Sequence, residues 1–210
     1  MSEYLVPTAR SEAEYIEKRS RFIGEVYPVE SEAEARAYIE AVKKKHYDAR
    51  HHCWCFRLRG GAERYSDDGE PQGTAGQPML NVFQREGVEN ILCVVTRYFG
   101  GILLGAGGLV RAYTQAAKEA LNAAGISAMR PWVDVALPCP YPLFERVKLA
   151  VEAHGGVLGE SEYAAEVNVR ALLPEGSIAD FASAITELAA GKATVERLGE
   201  QWRAVPIPRE

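Results

Sequence analysis

The chain has 210 residues, 47% hydrophobic and 25% charged, a balance that fits a globular protein and excludes a fibrous or low-complexity one. Its formal net charge is -5, so bulk electrostatics do not mark a nucleic-acid binder. No stretch approaches the ~20 apolar residues of a membrane helix.

The charge is unevenly placed. Residues 1–127 carry 16 Lys and Arg against 17 Asp and Glu, and residues 128–210 carry 8 against 12. Any contact with phosphate must come from a local patch, and the first part is the better place for one. The N-terminal residues mix charges throughout and lack the apolar run of a signal peptide. A cytoplasmic protein with no membrane partner is therefore expected. Cys53, Cys55, Cys93 and Cys139 are expected as reduced thiols, in a chain long enough to bury a core unaided.

In chain order, residues 14–29 read as extended, with a bend near Ser20 and alternation through Phe22, Gly24 and Val26. Ser31 and Glu34 form a capping-box pattern. The helix that follows places Ala35, Tyr38, Ile39 and Val42 inward and ends on Lys43, Lys44 and Lys45, which suit the negative end of its dipole. HHCWCFRLR at 51–59 predicts a strand, with His52, Trp54, Phe56 and Leu58 on one face and His51, Cys53, Cys55, Arg57 and Arg59 on the other. After a Gly- and Asp-rich loop, a short helix runs to about Glu86. It starts either at a Thr74–Gln77 box or with Pro78 at its first position. ILCVVTRYF at 91–99 predicts a strand buried on both faces. GGILLGAGG then precedes a long helix with Leu109, Tyr113, Ala116, Ala117, Ala120, Leu121 and Ala124 inward, stopped by Gly125.

SAMRP at 127–131 reads as a linker between two domains, 1–127 and 128–210. Beyond it come a strand (133–137), a helix (142–154), strands at 157–163 and 165–173, a helix (177–189) and a last strand (194–202). His154 reads as a cap on the first of these helices. The order βαββαβ is ferredoxin-like, and the whole chain is of α+β class.

Three segments carry candidate chemistry. In the densest, residues 91–113, a strand leads through Gly100, Gly101, Gly105, Gly107 and Gly108 into a helix, flanked by Arg97 and Arg111. Such glycines either let a strand and helix pack closely or aim backbone N–H groups at an anion. The run is neither a P-loop nor a dinucleotide fingerprint. In YSDDGEPQGTAGQP, Asp67, Asp68 and Glu70 are either turn residues or an acidic site for Mg²⁺ or proton transfer. His51, Cys53 and Cys55 share a strand face, but their spacing is not that of zinc ligands, and packed thiols are the better reading.

DARHHC at 48–53, YSDDGEPQGTAGQPML at 65–80 and VVTRYFGGILLGAGGLVRAY at 94–113 closely resemble the motifs of the Impact family. The resemblance covers residues 14–126, and Cys55 departs from the small residue many members have there. It implies that the first domain has the fold of ribosomal protein S5 domain 2. The second resembles the small ferredoxin-like domain of bacterial members, and the pair resembles domains IV and V of elongation factor G. Eukaryotic members restrain the amino-acid-starvation kinase that acts on translation initiation, which leaves the partner of a bacterial-type member open. The resemblance carries over no catalytic residue, and no cofactor or metal is expected. His51, Asp67, Asp68, Glu70, Arg97, Tyr98, Gly100, Gly101, Gly105, Gly107, Gly108 and Arg111 occupy motif positions and are expected to form one surface cleft. A translation-linked protein that docks on ribosome, RNA or a translation factor is the expected function. The alternatives are a hydrolase using the acidic loop and histidines, and a nucleotide- or phosphate-binding regulator.

Overall fold

The computed structural model describes residues 2–208. It divides into two units, Met1–Ala128 with Ala204–Glu210, and Met129–Arg203. The C-terminal segment from Ala204 thus belongs with the first unit, where the Ile207 N–H donates to the Ile126 carbonyl at 2.9 Å.

The first unit opens with β1 (Tyr4–Pro7). Its main sheet is built from β2 (Ser11–Glu17), β3 (Ser20–Pro28), β4 (His51–Arg57), β5 (Glu63–Ser66) and β6 (Ile91–Tyr98), in the order β2-β3-β6-β4-β5. Neighbours are antiparallel throughout. The expected bend at Ser20 is a two-residue turn in which Lys18 and Arg19 both take left-handed backbone (φ 45° and 66°), the twist that suits a tight hairpin.

Opposed residues of paired strands share a sheet face. One face presents Phe22, Cys53, Cys55, Cys93 and Val95 to helices α2 (Gly76–Glu86) and α3 (Gly105–Ala124), which contribute Met79, Phe83, Tyr113, Ala116 and Ala120. The other presents Tyr27, Phe56, Leu92 and Val94 to Ala35, Ile39 and Val42 of α1 (Glu32–Lys45). Central β6 is buried on both faces, as its unbroken apolar run predicts. The small-residue stripe of α3 lets it lie close to the sheet: a Cβ on Gly24 would come within 2.8 Å of the Ala116 carbonyl oxygen.

Two local expectations are corrected. SAMRP is no linker loop but part of a continuous strand, β7 (Ile126–Cys139). Helix α3 begins at Gly105, so Gly105, Gly107 and Gly108 are its first turn rather than loop. Glycine is a poor helix former, but here the packing of the helix behind it sets the boundary.

In the second unit β7 continues into α4 (Phe144–Ala153), β8 (Val157–Leu158), β9 (Glu162–Tyr163), β10 (Val167–Pro174), α5 (Ile178–Leu188) and β11 (Glu196–Pro206). The strand order β11-β7-β10-β8, with β9 also on β10, is ferredoxin-like. Val133, Val135, Leu137, Val169 and Leu173 of the sheet meet Val147, Val151, Phe181 and Ile185 of the helices. The strand predicted over 157–163 is broken into β8 and β9. His154 caps α4 as expected, its Nδ1–H donating to the Ala150 carbonyl at 2.7 Å.

Candidate functional site

The acidic loop between β5 and α2 turns each of its three carboxylates onto a different part of the protein. Asp67 accepts from the backbone N–H groups of Gly73 (2.8 Å), Ala75 (3.0 Å) and Gly76 (2.8 Å). It therefore satisfies donors at the start of α2, a helix whose own N-cap side chain makes no such bond. The Cys53 thiol donates to the Asp67 carbonyl at 3.0 Å. Asp68, in left-handed backbone (φ 41°), accepts from the His52 N–H at 2.6 Å, and its carbonyl accepts from His51 Nδ1 at 2.9 Å. A carbonyl cannot donate, so His51 carries its proton on Nδ1.

Glu70 is buried. Its Oε1 accepts from Arg97 Nη1 at 2.7 Å and from the Tyr113 hydroxyl at 2.8 Å. Arg97 comes from the end of β6, and its guanidinium lies against the rings of Phe22 and Phe99, at 5.4 and 5.6 Å. Its Nη2 reaches the Ser20 hydroxyl oxygen at 3.5 Å, which also accepts from the Gly100 N–H at 3.2 Å. Arg97 is therefore corrected from a phosphate-facing residue to a buried post under the glycine loop, its charge already matched by Glu70.

Tyr98 points to the opposite face of the sheet, because side chains alternate along a strand. It donates to Asp48 Oδ1 at 3.0 Å and accepts from His46 Nδ1 at 3.0 Å. The single cleft expected from the motif positions is thus resolved into two groups. Asp67, Asp68, Glu70, Arg97 and His51 lock loops internally, while Gly100, Gly101, Gly105, Gly107, Gly108 and Arg111 lie along an exposed rim.

That rim has a distinct surface. Phe99, Ile102 and Leu103 in the loop before α3 are 52%, 42% and 83% exposed. A Cβ on Gly100 would overlap the backbone of Arg19 and Ser20, so the loop is seated directly on the Lys18–Arg19 hairpin. Arg111 folds back over the first turn of α3, its Nη1 3.7 Å from where a Cβ on Gly107 would stand. It lines a cavity of about 390 Å³ with Tyr15, Glu17, Thr114 and Gln115. Beside Phe99, Arg50 lines a second cavity of about 400 Å³ with Asp48, Ala49, Arg97 and Tyr98. The side chains of Lys18, Arg19, Arg50 and Arg111 are exposed, and none has a hydrogen bond or ion pair to another described residue. Of this rim, motif reading picked out only the glycines and Arg111. Arg50 and Asp48 lay in the quoted DARHHC segment, and the exposed apolar loop was legible as ILL between glycines, which are signals that could have found them.

Among the described residues, the buried Tyr113, Cys53, Cys55 and Cys93 are not activated nucleophiles. Burial, with the nearby charge of Glu70, pushes the Tyr113 phenol well above its ordinary range. Burial likewise raises Cys53, Cys55 and Cys93. These groups stay protonated at neutral pH, the wrong state for covalent catalysis. Among the described residues no group of three or more His, Cys, Asp or Glu could hold a metal ion.

Comparison with known proteins fits this architecture. Residues 18–121 match the Impact N-terminal domain, and residues 137–192 match a domain of unknown function, DUF1949. The IMPACT family member YigZ of Escherichia coli (strain K12) is 36% identical over 195 residues, covering 91% of this chain and 96% of that protein. The IMPACT family member YvyE of Bacillus subtilis (strain 168) is 33% identical over 198 residues, covering 93% and 91%. A solved structure described as that of a hypothetical protein is 34% identical, with a TM-score of 0.59 over 95% of this chain and 98% of the other. With this identity extending over nearly the whole length of both chains, the protein belongs to the Impact family.

Proposed function

We propose that the protein is a non-enzymatic, translation-linked binding protein that docks on single-stranded RNA of the translation machinery through the rim around Phe99–Leu104. The observation that carries this reading is that exposed, unpaired cations border the exposed Phe99–Leu104 loop, in a chain whose net charge is -5: Arg50 shares a cavity with Phe99, the Lys18–Arg19 turn seats Gly100, and Arg111 folds over the first turn of α3. Basic side chains such as Arg21, Arg36 and Lys45 are paired with carboxylates, although Lys44, Arg85 and Lys118 also have no such pair among the described residues. Cations left unpaired around an aromatic ring suit a single strand, whose phosphates take the charge and whose bases stack on the ring.

Co-sedimentation of the full chain with ribosomes, with and without RNase, tests the reading. Arg19→Glu with Arg111→Glu should release the protein into the supernatant while leaving its melting unchanged, because both side chains are exposed. Co-sedimentation that persists after RNase treatment and in the doubly reversed protein would contradict it.

A further inference from the structure

The cavity beside Phe99 contains a carboxylate that is held in place from behind. Asp48 is exposed, yet its Oδ1 accepts from the Tyr98 hydroxyl at 3.0 Å. The phenol has one proton, so the His46 nitrogen 3.0 Å from its oxygen must be the donor. His46 is itself buried, with its Nε2 3.4 Å from Glu25 Oε1 and its carbonyl accepting from His52 Nε2 at 3.0 Å. A chain of groups from the buried sheet face thus fixes where the Asp48 carboxylate stands.

A carboxylate offers about four acceptor positions and no donor. Tyr98 occupies one on Oδ1, and no other hydrogen bond to the Asp48 side chain is made by the described residues. The two oxygens can therefore receive two parallel donors from a ligand in the cavity. Among the four RNA bases only guanine has two adjacent donors on its pairing edge, the ring N1–H and the exocyclic amino group. Uracil has one donor between two carbonyls. Adenine and cytosine each set a donor beside a ring nitrogen lone pair, which a carboxylate repels. The volume of about 400 Å³ lies in the range of small-ligand pockets. Phe99 supplies an aromatic face, and unpaired Arg50 a cation for the adjoining phosphate.

We propose that this cavity reads a guanine base, with Asp48 as the specificity-determining residue, Phe99 as the stacking partner and Arg50 as the phosphate contact. The proposal rests on the docking reading above and narrows it from single-stranded RNA to guanine-bearing single strands.

Fluorescence anisotropy of the full chain with labelled single strands of about eight nucleotides tests it: one all-uridine, one with a single central guanosine, and one with inosine there. A bidentate pair discriminates by a factor of about five to 150, so the guanosine strand should bind at least about five-fold tighter than the uridine strand. Inosine keeps the N1–H and lacks the amino group, and should fall between. Asp48→Asn, which offers one acceptor and one donor, should bring the guanosine and uridine strands to within about two-fold of each other. Equal binding of all three strands by the natural protein overturns the guanine proposal, and so does a preference that survives in Asp48→Asn. Failure to bind any of the strands overturns the docking reading itself.

Discussion

Replacing Glu70 with alanine removes the carboxylate that faces Arg97. The two side chains are 3% and 7% exposed, so little water reaches the stranded guanidinium. Breaking a buried pair in this way costs about 3–5 kcal/mol, whereas an exposed pair is worth about 1 kcal/mol or less. The Tyr113 hydroxyl loses its acceptor in the same step, which alone costs about 1–3 kcal/mol. Because both donors share one oxygen the two costs overlap, and a loss of about 4 kcal/mol is expected. That is a large part of the stability of a typical domain. Urea unfolding followed by the fluorescence of Trp54, which lies on β4 of the same unit, gives the number. Arg97→Glu should be at least as damaging, since it sets two carboxylates together. Replacing Glu70 and Arg97 both with leucine should cost less than Glu70→Ala, because no charge is left behind. A loss below about 1 kcal/mol for Glu70→Ala would show that Arg97 is solvated, and would return it to the list of groups free to meet phosphate.

Asp67→Ala should lower the stability of the first unit by about 2 kcal/mol, the upper range for losing a helix cap, since three N–H groups depend on that carboxylate; calorimetric melting checks this. Burial alone would raise the Glu25 carboxyl, but hydrogen bonds from Tyr27, Lys45 and Arg10 outweigh it and hold the group below its ordinary 4.5. A depressed folded value means that the stabilisation is fully present above about pH 4.5 and lost as pH falls through the lower value. The urea midpoint should decline on acidification in that window, and less steeply in Glu25→Gln. All four thiols are buried, with burial pushing each one up; Ellman's reagent should label none rapidly in the native protein and all of them in guanidinium.

Periodicity revealed those parts of the fold that local patterns specify. The α1 cap is one case: Ser31 accepts from the Glu34 N–H at 3.2 Å, although Glu34 reaches back to Glu30 rather than to Ser31. The alternation of HHCWCFRLR and the apolar run of β6 also predicted their faces correctly. What periodicity could not give was set by distant groups. Neither predicted start for α2 was right, because its first donors are capped by Asp67 from outside the helix. Strand β5 was hidden in a Gly- and Asp-rich segment and forms through its pairing with β4. The motif positions identified the important side chains but not their depth. Arg97 and Arg111 flank the same glycines, and only the folded chain separates the buried cation from the exposed one.

The most direct test of the docking account is the salt dependence of binding to a single-stranded RNA. If Lys18, Arg19, Arg50 and Arg111 each neutralise a phosphate, log affinity should fall with log salt at a slope of up to about -2.8, at about -0.7 per contact. Reversing Arg19, Arg50 and Arg111 together should leave a slope near -0.7 and binding too weak to measure at physiological salt. A slope that is unchanged in the triply reversed, folded protein would contradict the account and place the RNA contact elsewhere on the chain.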